Sequence, residues 1–223
     1  SFWKSGLKAL IIGNSKTVFA KELQDELVKN GKDVSLLDFE FLEIYDKNGA
    51  KNSIFASKFA RFKNIPKFHM FFRLFYISQI LKEFDAINIH VARWYYSFIL
   101  KALKGKKVVV SFYGSDFYRI SNLSKKLLYP LLNIAKTITF TNKKTQNSFL
   151  DHYKNFQDKT RVCRFGLKTL DFIDKNRDKN KLEIKKYLGY SKEKTIVTCG
   201  YNSTKAQQHE KIIENIIKLP QDI

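Results

Sequence analysis

The sequence predicts an α/β fold, a parallel β-sheet flanked by helices. Three observations carry that prediction. Short apolar runs rich in β-branched residues alternate along the chain with segments of helical spacing. The apolar runs are near-continuous rather than alternating with polar residues, as strands buried on both faces require. Several of them stop abruptly at Gly, Asp or His. Such endings mark the carboxyl edge of an open α/β sheet, where ligands bind.

Leu7–Ile12 is the first apolar run, followed by Gly13-Asn14-Ser15. Thr17–Lys29 then places Val18, Leu23, Leu27 and Val28 on one helical face, and Asn30-Gly31 stops it. Val34–Leu37 is a second strand ending at Asp38, which completes a β-α-β unit. The next segment differs in kind. No acid occurs between Asp46 and Glu83, while Lys47, Lys51, Lys58, Arg61, Lys63, Lys67, Arg73 and Lys82 do. Phe55, Phe59, Phe62, Phe68, Phe71, Phe72, Phe75 and Tyr76 are interleaved with them. After Pro66 the spacing predicts a helix over about 67–82, with Phe71, Phe72 and Phe75 turned toward the core.

Alternation resumes with the strand Ala86–Val91, ending at His90, and the helix Trp94–Leu103, stopped by Gly105. Val108–Phe112 is the next strand and ends at Tyr113-Gly114-Ser115-Asp116. A helix over Leu123–Ile134 is expected to kink at Pro130. Thr137–Thr141 is a strand, Lys143–Tyr153 a helix, and Thr160–Phe165 a strand closed by Gly166. Asp171–Lys181 is charge-dense, lacks an apolar face and reads as a linker. Leu182–Leu188 is helical, Thr195–Cys199 a strand, Gly200-Tyr201-Asn202-Ser203 a loop, and Gln207–Lys218 a helix with Ile212, Ile213, Ile216 and Ile217 inward. A lone β-loop-α unit cannot bury both sides of its sheet, so this reads as the opening of a second, truncated α/β domain. The expected organisation is a first domain over 1–170, a linker over 171–181, and the start of a second domain over 182–223.

Composition narrows the partners. The net charge is +20, from 41 basic and 21 acidic residues, which implies an anionic partner such as phosphate, nucleic acid or an acidic lipid surface. Cys163 and Cys199 each sit in an apolar run and form no disulfide framework, so both are expected to be reduced core residues of a cytosolic protein. No stretch reaches the roughly 18 apolar residues of a membrane span. The four histidines, His69, His90, His152 and His209, lack metal-ligand spacing, so no metal site is expected. The first strand is not followed by G-x-G-x-x-G, and neither a P-loop lysine pattern nor a G-x-S-x-G elbow occurs.

The remaining candidates are strand-end loops. Gly13 and Asn14 precede a helix whose N-terminus favours an anion, or they form a plain strand-to-helix turn. His90 is either a hydrogen-bonded core residue or a group at the ligand edge. Asp116 is an N-cap, a general base or an acceptor for a sugar hydroxyl. Arg164 faces either a cleft between domains or solvent. In the second unit Gly200, Tyr201, Asn202, Ser203 and Lys205 suit a diphosphate cradle, with His209 about one turn into the following helix.

With these residues in place the chain resembles the GT-B glycosyltransferases, in which two Rossmann-like domains enclose the reaction between them. Gly13-Asn14 looks like the glycine loop of the N-terminal domain. Asp85–His90 (DAINIH) is similar to the D-x-I-x-x-H run of glycosyltransferase family 4-like, retaining enzymes. Ser111–Asp116 (SFYGSD) resembles their strand followed by H-G-S-D, with Tyr113 where many have His. Arg164–Gly166 resembles their closing strand. The second-domain loop lacks the usual G-R and K-G. It is closer to bacterial 4-acetamido-4,6-dideoxygalactose transferases, whose W-G-A-D-L-Y segment is similar to Tyr113–Tyr118 (YGSDFY).

The resemblance implies a glycosyltransferase that takes a nucleotide-sugar as substrate and needs no other cofactor. The acceptor is a lipid-linked or nascent polysaccharide. Asp116 or His90 is the catalytic candidate, and Tyr113, Gly114, Ser115 and Arg164 line the acceptor side. The donor would bind Gly13, Asn14, Gly200, Tyr201, Asn202, Ser203, Lys205 and His209. Lys51, Phe55, Lys58, Phe59, Arg61, Phe62 and Lys63 would touch an anionic membrane, placing the enzyme at the inner face of the cell membrane. The second domain being only begun, the chain alone is expected to be inactive. Two other readings stand beside this one: a UDP-sugar 2-epimerase-like enzyme of the same architecture, and a basic nucleic-acid-binding α/β module. No recognised nucleic-acid motif supports the latter, so no nucleic-acid partner is expected.

Overall fold

The computed structural model describes residues 6–53, 66–164, 174–177, 181–191, 193 and 209–218. The chain divides into two compact units, Ser1–Lys168 and Thr169–Ile223.

The described part of the first unit contains one sheet of eight strands. They are β1 (Lys8–Gly13), β2 (Asp33–Asp38), β3 (Glu43–Tyr45), β4 (Lys51–Ser53), β5 (Ala86–His90), β6 (Lys107–Phe112), β7 (Thr137–Phe140) and β8 (Thr160–Val162). The spatial order is β4-β3-β2-β1-β5-β6-β7-β8. Strands β2, β1, β5, β6, β7 and β8 are parallel, and β3 and β4 add an antiparallel edge. This is the Rossmann-like α/β architecture expected from the sequence.

Burial explains why the central strands read as continuous apolar runs. In β1, Leu10 and Ile12 join the large core on one face, while Ala9 and Ile11 join a smaller core on the other. Helix α1 (Val18–Lys29) covers the smaller core with Ala20, Leu23 and Leu27 against Val34 and Leu36. The larger core gathers α2 (Pro66–Ile80), a 3₁₀ helix Trp94–Ile99, α3 (Leu100–Leu103), α4 (Ser115–Tyr118), α5 (Asn122–Ile134) and α6 (Lys143–His152). Side chains set the starts of the two longer C-terminal helices of this unit. Ser121 Oγ accepts from the Ser124 N–H at 3.2 Å to begin α5, and Asn142 Oδ1 accepts from the Thr145 N–H at 2.8 Å to begin α6.

Several expectations need correction. Strands β3 and β4 were not legible, because three residues are too few to show a period. Their hairpin is closed by the Asp46 carboxylate, which accepts from the N–H groups of Asn48 and Ala50, with Gly49 at φ 77°. The expected helix Trp94–Leu103 is a 3₁₀ helix followed by one α-turn. That tighter winding puts Tyr95 and Tyr96 against Phe39, with ring centroids 5.0 and 5.5 Å away. Cys163 is exposed rather than in the core, since β8 has already ended at the sheet edge. Phe71 and Phe75 are exposed too; Leu74, Ile77 and Ile80 form the buried stripe of α2 instead.

In the second unit the described elements are the helices Lys181–Tyr187 and His209–Ile216. Ile212, Ile213 and Ile217, expected inward, are exposed to solvent. The expected strand Thr195–Cys199 and most of the expected linker lie outside the described residues.

The densest packing in the first unit is an aromatic cluster around Phe149. Its ring lies 4.9 Å from Phe140, 5.5 Å from Phe112, 5.6 Å from Phe117 and 4.8 Å from Tyr153, centroid to centroid. These contacts tie α4 and α6 to β6 and β7. Phe149→Ala removes the central ring, and the expected loss is about 3–5 kcal/mol of stability. A urea denaturation midpoint unchanged from the parent would show that the cluster does not carry this load.

Candidate functional site at the sheet reversal

The strand order reverses direction beside β1. The chain moves from β1 to β2 on one side, then returns to place β5 on the other. Loops at such a reversal leave a crevice at the carboxyl ends of the two strands. Here the two ends are Gly13 and His90. A Cβ on Gly13 would lie 3.2 Å from the Ala20 Cβ and 3.5 Å from the His90 Cβ. Gly13 therefore serves close approach of α1 and His90 to the strand end.

In the loop after Gly13 the donors of Ser15, Lys16 and Thr17 are bonded within the protein. The Ser15 N–H and Oγ–H both donate to Asp38 Oδ2, at 2.7 and 2.6 Å. Asn14 Oδ1 accepts from the Lys16 N–H at 2.8 Å, and the Asn14 carbonyl accepts from the Thr17 N–H at 3.0 Å. Asp38, fully buried, also takes the N–H groups of Glu40 and Phe41 on its other oxygen. Asp38 thus joins the loop after β1 to the turn after β2.

The second acidic loop is built in the same way. Asp116 Oδ1 accepts from the N–H groups of Tyr113 and Gly114, at 2.9 and 2.8 Å, and Asp116 is 2 % exposed. Gly114 sits at φ 112° and opens α4, a backbone conformation that favours glycine. Burial pushes the Asp116 carboxyl above its ordinary range, and the two backbone N–H groups oppose that rise. The carboxylate holds the turn that carries Tyr113. Ser115 is the first residue of α4.

His90 is the polar group left at the crevice. It is 3 % exposed. Its Nδ1 is hydrogen-bonded to the Tyr113 hydroxyl, and its Nε2 is buried without a protein partner. The Tyr113 ring lies 5.6 Å from Phe19 on α1 and 5.5 Å from His90. Burial lowers the His90 pKa from 6.5 to about 4, so the imidazole is neutral at physiological pH. Burial also raises the Tyr113 phenol, which keeps its proton. The next residue, Val91, is at φ 57°, a left-handed conformation that a β-branched side chain resists. Nothing in the sequence marked Val91. Its strain is visible only in the backbone, beside the unpartnered His90 Nε2.

A cleft of about 540 Å³ opens beside these loops, lined by Ser15, Lys16, Lys21, Phe41, Glu43 and Tyr45. Lys16 Nζ lies 4.3 Å from the centre of the Phe41 ring. Lys21 is paired with Asp25 at 3.0 Å and Tyr45 donates to Glu43, so the lining mixes cations, a carboxylate, hydroxyls and aromatic faces and suits a hydroxyl-rich ligand. Sequence reasoning passed over Lys16, Lys21 and Tyr45, because only the β3 hairpin brings Tyr45 back to α1.

Of the other sequence candidates, Arg164 is exposed beyond β8. Lys51 begins β4. His209 begins a helix in the second unit. Phe55, Lys58, Phe59, Arg61, Phe62 and Lys63, and Gly200, Tyr201, Asn202, Ser203 and Lys205, lie outside the described residues.

The family model of Glycosyltransferase Family 4 matches residues 17–169, more than half of the chain and every strand from β2 to β8. No curated protein matches it.

Two outcomes are expected from this geometry. Asp116→Ala strands two N–H groups of the turn and should cost about 1–3 kcal/mol in chemical denaturation; an unchanged midpoint would separate the turn from its carboxylate. His90 binds fewer protons folded than unfolded, because its folded pKa is depressed. Its contribution is whole above the unfolded value of 6.5 and is lost as pH falls toward about 4. Between pH 7 and pH 5 the loss is about 2 kcal/mol. The difference between parent and His90→Gln stabilities should shrink by that amount, and a pH-independent difference would exclude the linkage.

Proposed function

Because the chain belongs to Glycosyltransferase Family 4, we propose that it moves a sugar from a nucleotide-sugar donor to a lipid-linked or nascent polysaccharide acceptor in bacterial surface-glycan synthesis. Glycosyl transfer is the activity of the family; the donor, acceptor and pathway are the proposal. The observation that carries it is the buried, unpartnered His90 Nε2 at the reversal of the sheet, held by Tyr113 beside Gly13.

A phenol that keeps its proton donates to Nδ1, so the neutral imidazole carries its hydrogen on Nε2. That hydrogen is a donor for a sugar hydroxyl or a phosphate oxygen. An imidazole with a pKa of about 4 is a weak base at neutral pH, so His90 binds and orients rather than abstracts a proton. Tyr113 is a positioning residue that fixes the tautomer. Lys16 and Lys21 supply cations for the anionic part of the acceptor in the neighbouring cleft.

In the transfer, the bond from the anomeric carbon to the donor diphosphate breaks, and the nucleoside diphosphate leaves with the electron pair. The acceptor oxygen bonds to that carbon and its proton passes to a base. Charge on the leaving diphosphate calls for backbone N–H groups and cations. In the second unit Gly200, Tyr201, Asn202, Ser203, Lys205 and His209 have that chemistry. A lipid-linked acceptor would place the enzyme in the cytoplasm, at the inner face of the cell membrane. Lys51, Phe55, Lys58, Phe59, Arg61, Phe62 and Lys63 would contribute to contact there.

The test is transfer of labelled sugar from a panel of nucleotide sugars into organic-extractable lipid or polymer. Tyr113→Phe should lower kcat/KM about tenfold, the worth of one hydrogen bond to an oriented group. It should also move the acidic limb of the pH profile, because the imidazole loses its fixed tautomer. Label recovered only as an epimerised or hydrolysed nucleotide sugar would replace this reading.

A further inference from the structure

The most unusual surface of the first unit is not in the crevice. Helix α2 buries Leu74, Ile77 and Ile80, and on its opposite side carries Phe71 and Phe75, which are 60 % and 63 % exposed. Phe98, on the 3₁₀ helix Trp94–Ile99, is 60 % exposed, and its ring lies 5.8 Å from that of Phe71. Trp94 meets Phe98 edge-on at 5.8 Å. Ser97 Oγ donates to the Leu127 carbonyl at 2.6 Å, which seats the 3₁₀ helix on α5, where the side chain of Leu127 is 43 % exposed. Solvent-facing helix positions normally carry polar residues, and the fold does not need phenylalanine there.

Charge around this face is one-sided. Helices α2, α3, α5 and the 3₁₀ helix contain no Asp or Glu, and they carry Lys67, Arg73, Lys101, Lys125 and Lys126. Across Lys47–Leu150 there are nineteen Lys and Arg against three acids, Glu83, Asp85 and Asp116. Asp116 is buried in its turn. Lys101 on α3 and Lys126 on α5 are exposed.

We propose that Phe71, Phe75 and Phe98 form the face that docks this protein on an anionic lipid bilayer, the rings entering the acyl boundary and the surrounding lysines meeting headgroups. The proposal rests on the membrane reading given above and assigns it to side chains on α2 and the 3₁₀ helix. Rings without a polar tip gain from the acyl boundary, whereas nucleic acid offers them no comparable apolar phase. A cationic surround matches an anionic leaflet, and the pull weakens with salt.

The experiment is co-sedimentation of the whole chain with vesicles of phosphatidylcholine containing phosphatidylglycerol, without any sugar donor. Vesicle binding and glycosyl transfer are thereby separate readouts, and loss of either leaves the other interpretable. The parent should bind anionic vesicles and bind neutral ones at least tenfold less. Phe71→Ser/Phe75→Ser/Phe98→Ser should lower anionic binding at least tenfold with an unchanged circular dichroism spectrum. If the triple variant does not fold, Phe75→Trp replaces it: brominated lipid should quench its fluorescence beyond the quenching of the parent tryptophans. Equal binding by the triple variant, absence of extra quenching, or no binding by the parent would overturn the proposal. So would salt-sensitive binding to RNA with none to vesicles, or a parent dimer that the triple variant abolishes.

Discussion

Gly13 closes β1 where helix α1 and the end of β5 come together. Gly13 faces His90 and the first turns of α1 at distances that leave no room for a Cβ without displacement. That closeness lets α1 cross the end of the sheet. It also buries the His90 imidazole and brings Phe19 against Tyr113. The other features of the crevice gather at this point: burial lowers the His90 pKa, Tyr113 bonds the imidazole, and Val91 follows at φ 57°.

The two acids at the carboxyl edge are bonded to backbone N–H groups. Asp38 and Asp116 each turn a buried carboxylate back onto the N–H groups of a neighbouring loop. A loop at a strand end has donors that must be satisfied, and a carboxylate in place does this permanently. The loops are then rigid before any ligand arrives. The unsatisfied polar atom is left on a neutral imidazole, whose desolvation costs far less than that of a charge. The crevice therefore presents a neutral imidazole between two loops held by carboxylates.

The first unit spends its hydrophobic residues unevenly. The aromatic cluster around Phe149 and the stripe Leu74-Ile77-Ile80 fill the core, while Phe71, Phe75 and Phe98 stand outside it. In a chain with so few acids between Lys47 and Leu150, those outer rings lie among cations. On α2 the register of the helix separates the buried stripe from the exposed rings.

The alternation of apolar runs with helical spacing was enough, from sequence alone, to establish the parallel sheet, the ends of β1, β5 and β6, and α1, α2, α5 and α6. Those features are local: they follow from hydrophobic period, Gly and Asn stops, and capping residues such as Ser121 and Asn142. The resemblance of DAINIH and SFYGSD to the GT-B pattern pointed to the family for the same reason, since short motifs survive in one dimension. Partnership was decided only in three dimensions. That Asp38 holds the loop of β1, that Tyr45 returns to α1 and that Phe71 meets Phe98 all depend on contacts between segments distant in sequence. Hydrogen bonds and burial are properties of neighbours in space, and a sequence orders its neighbours only along the chain.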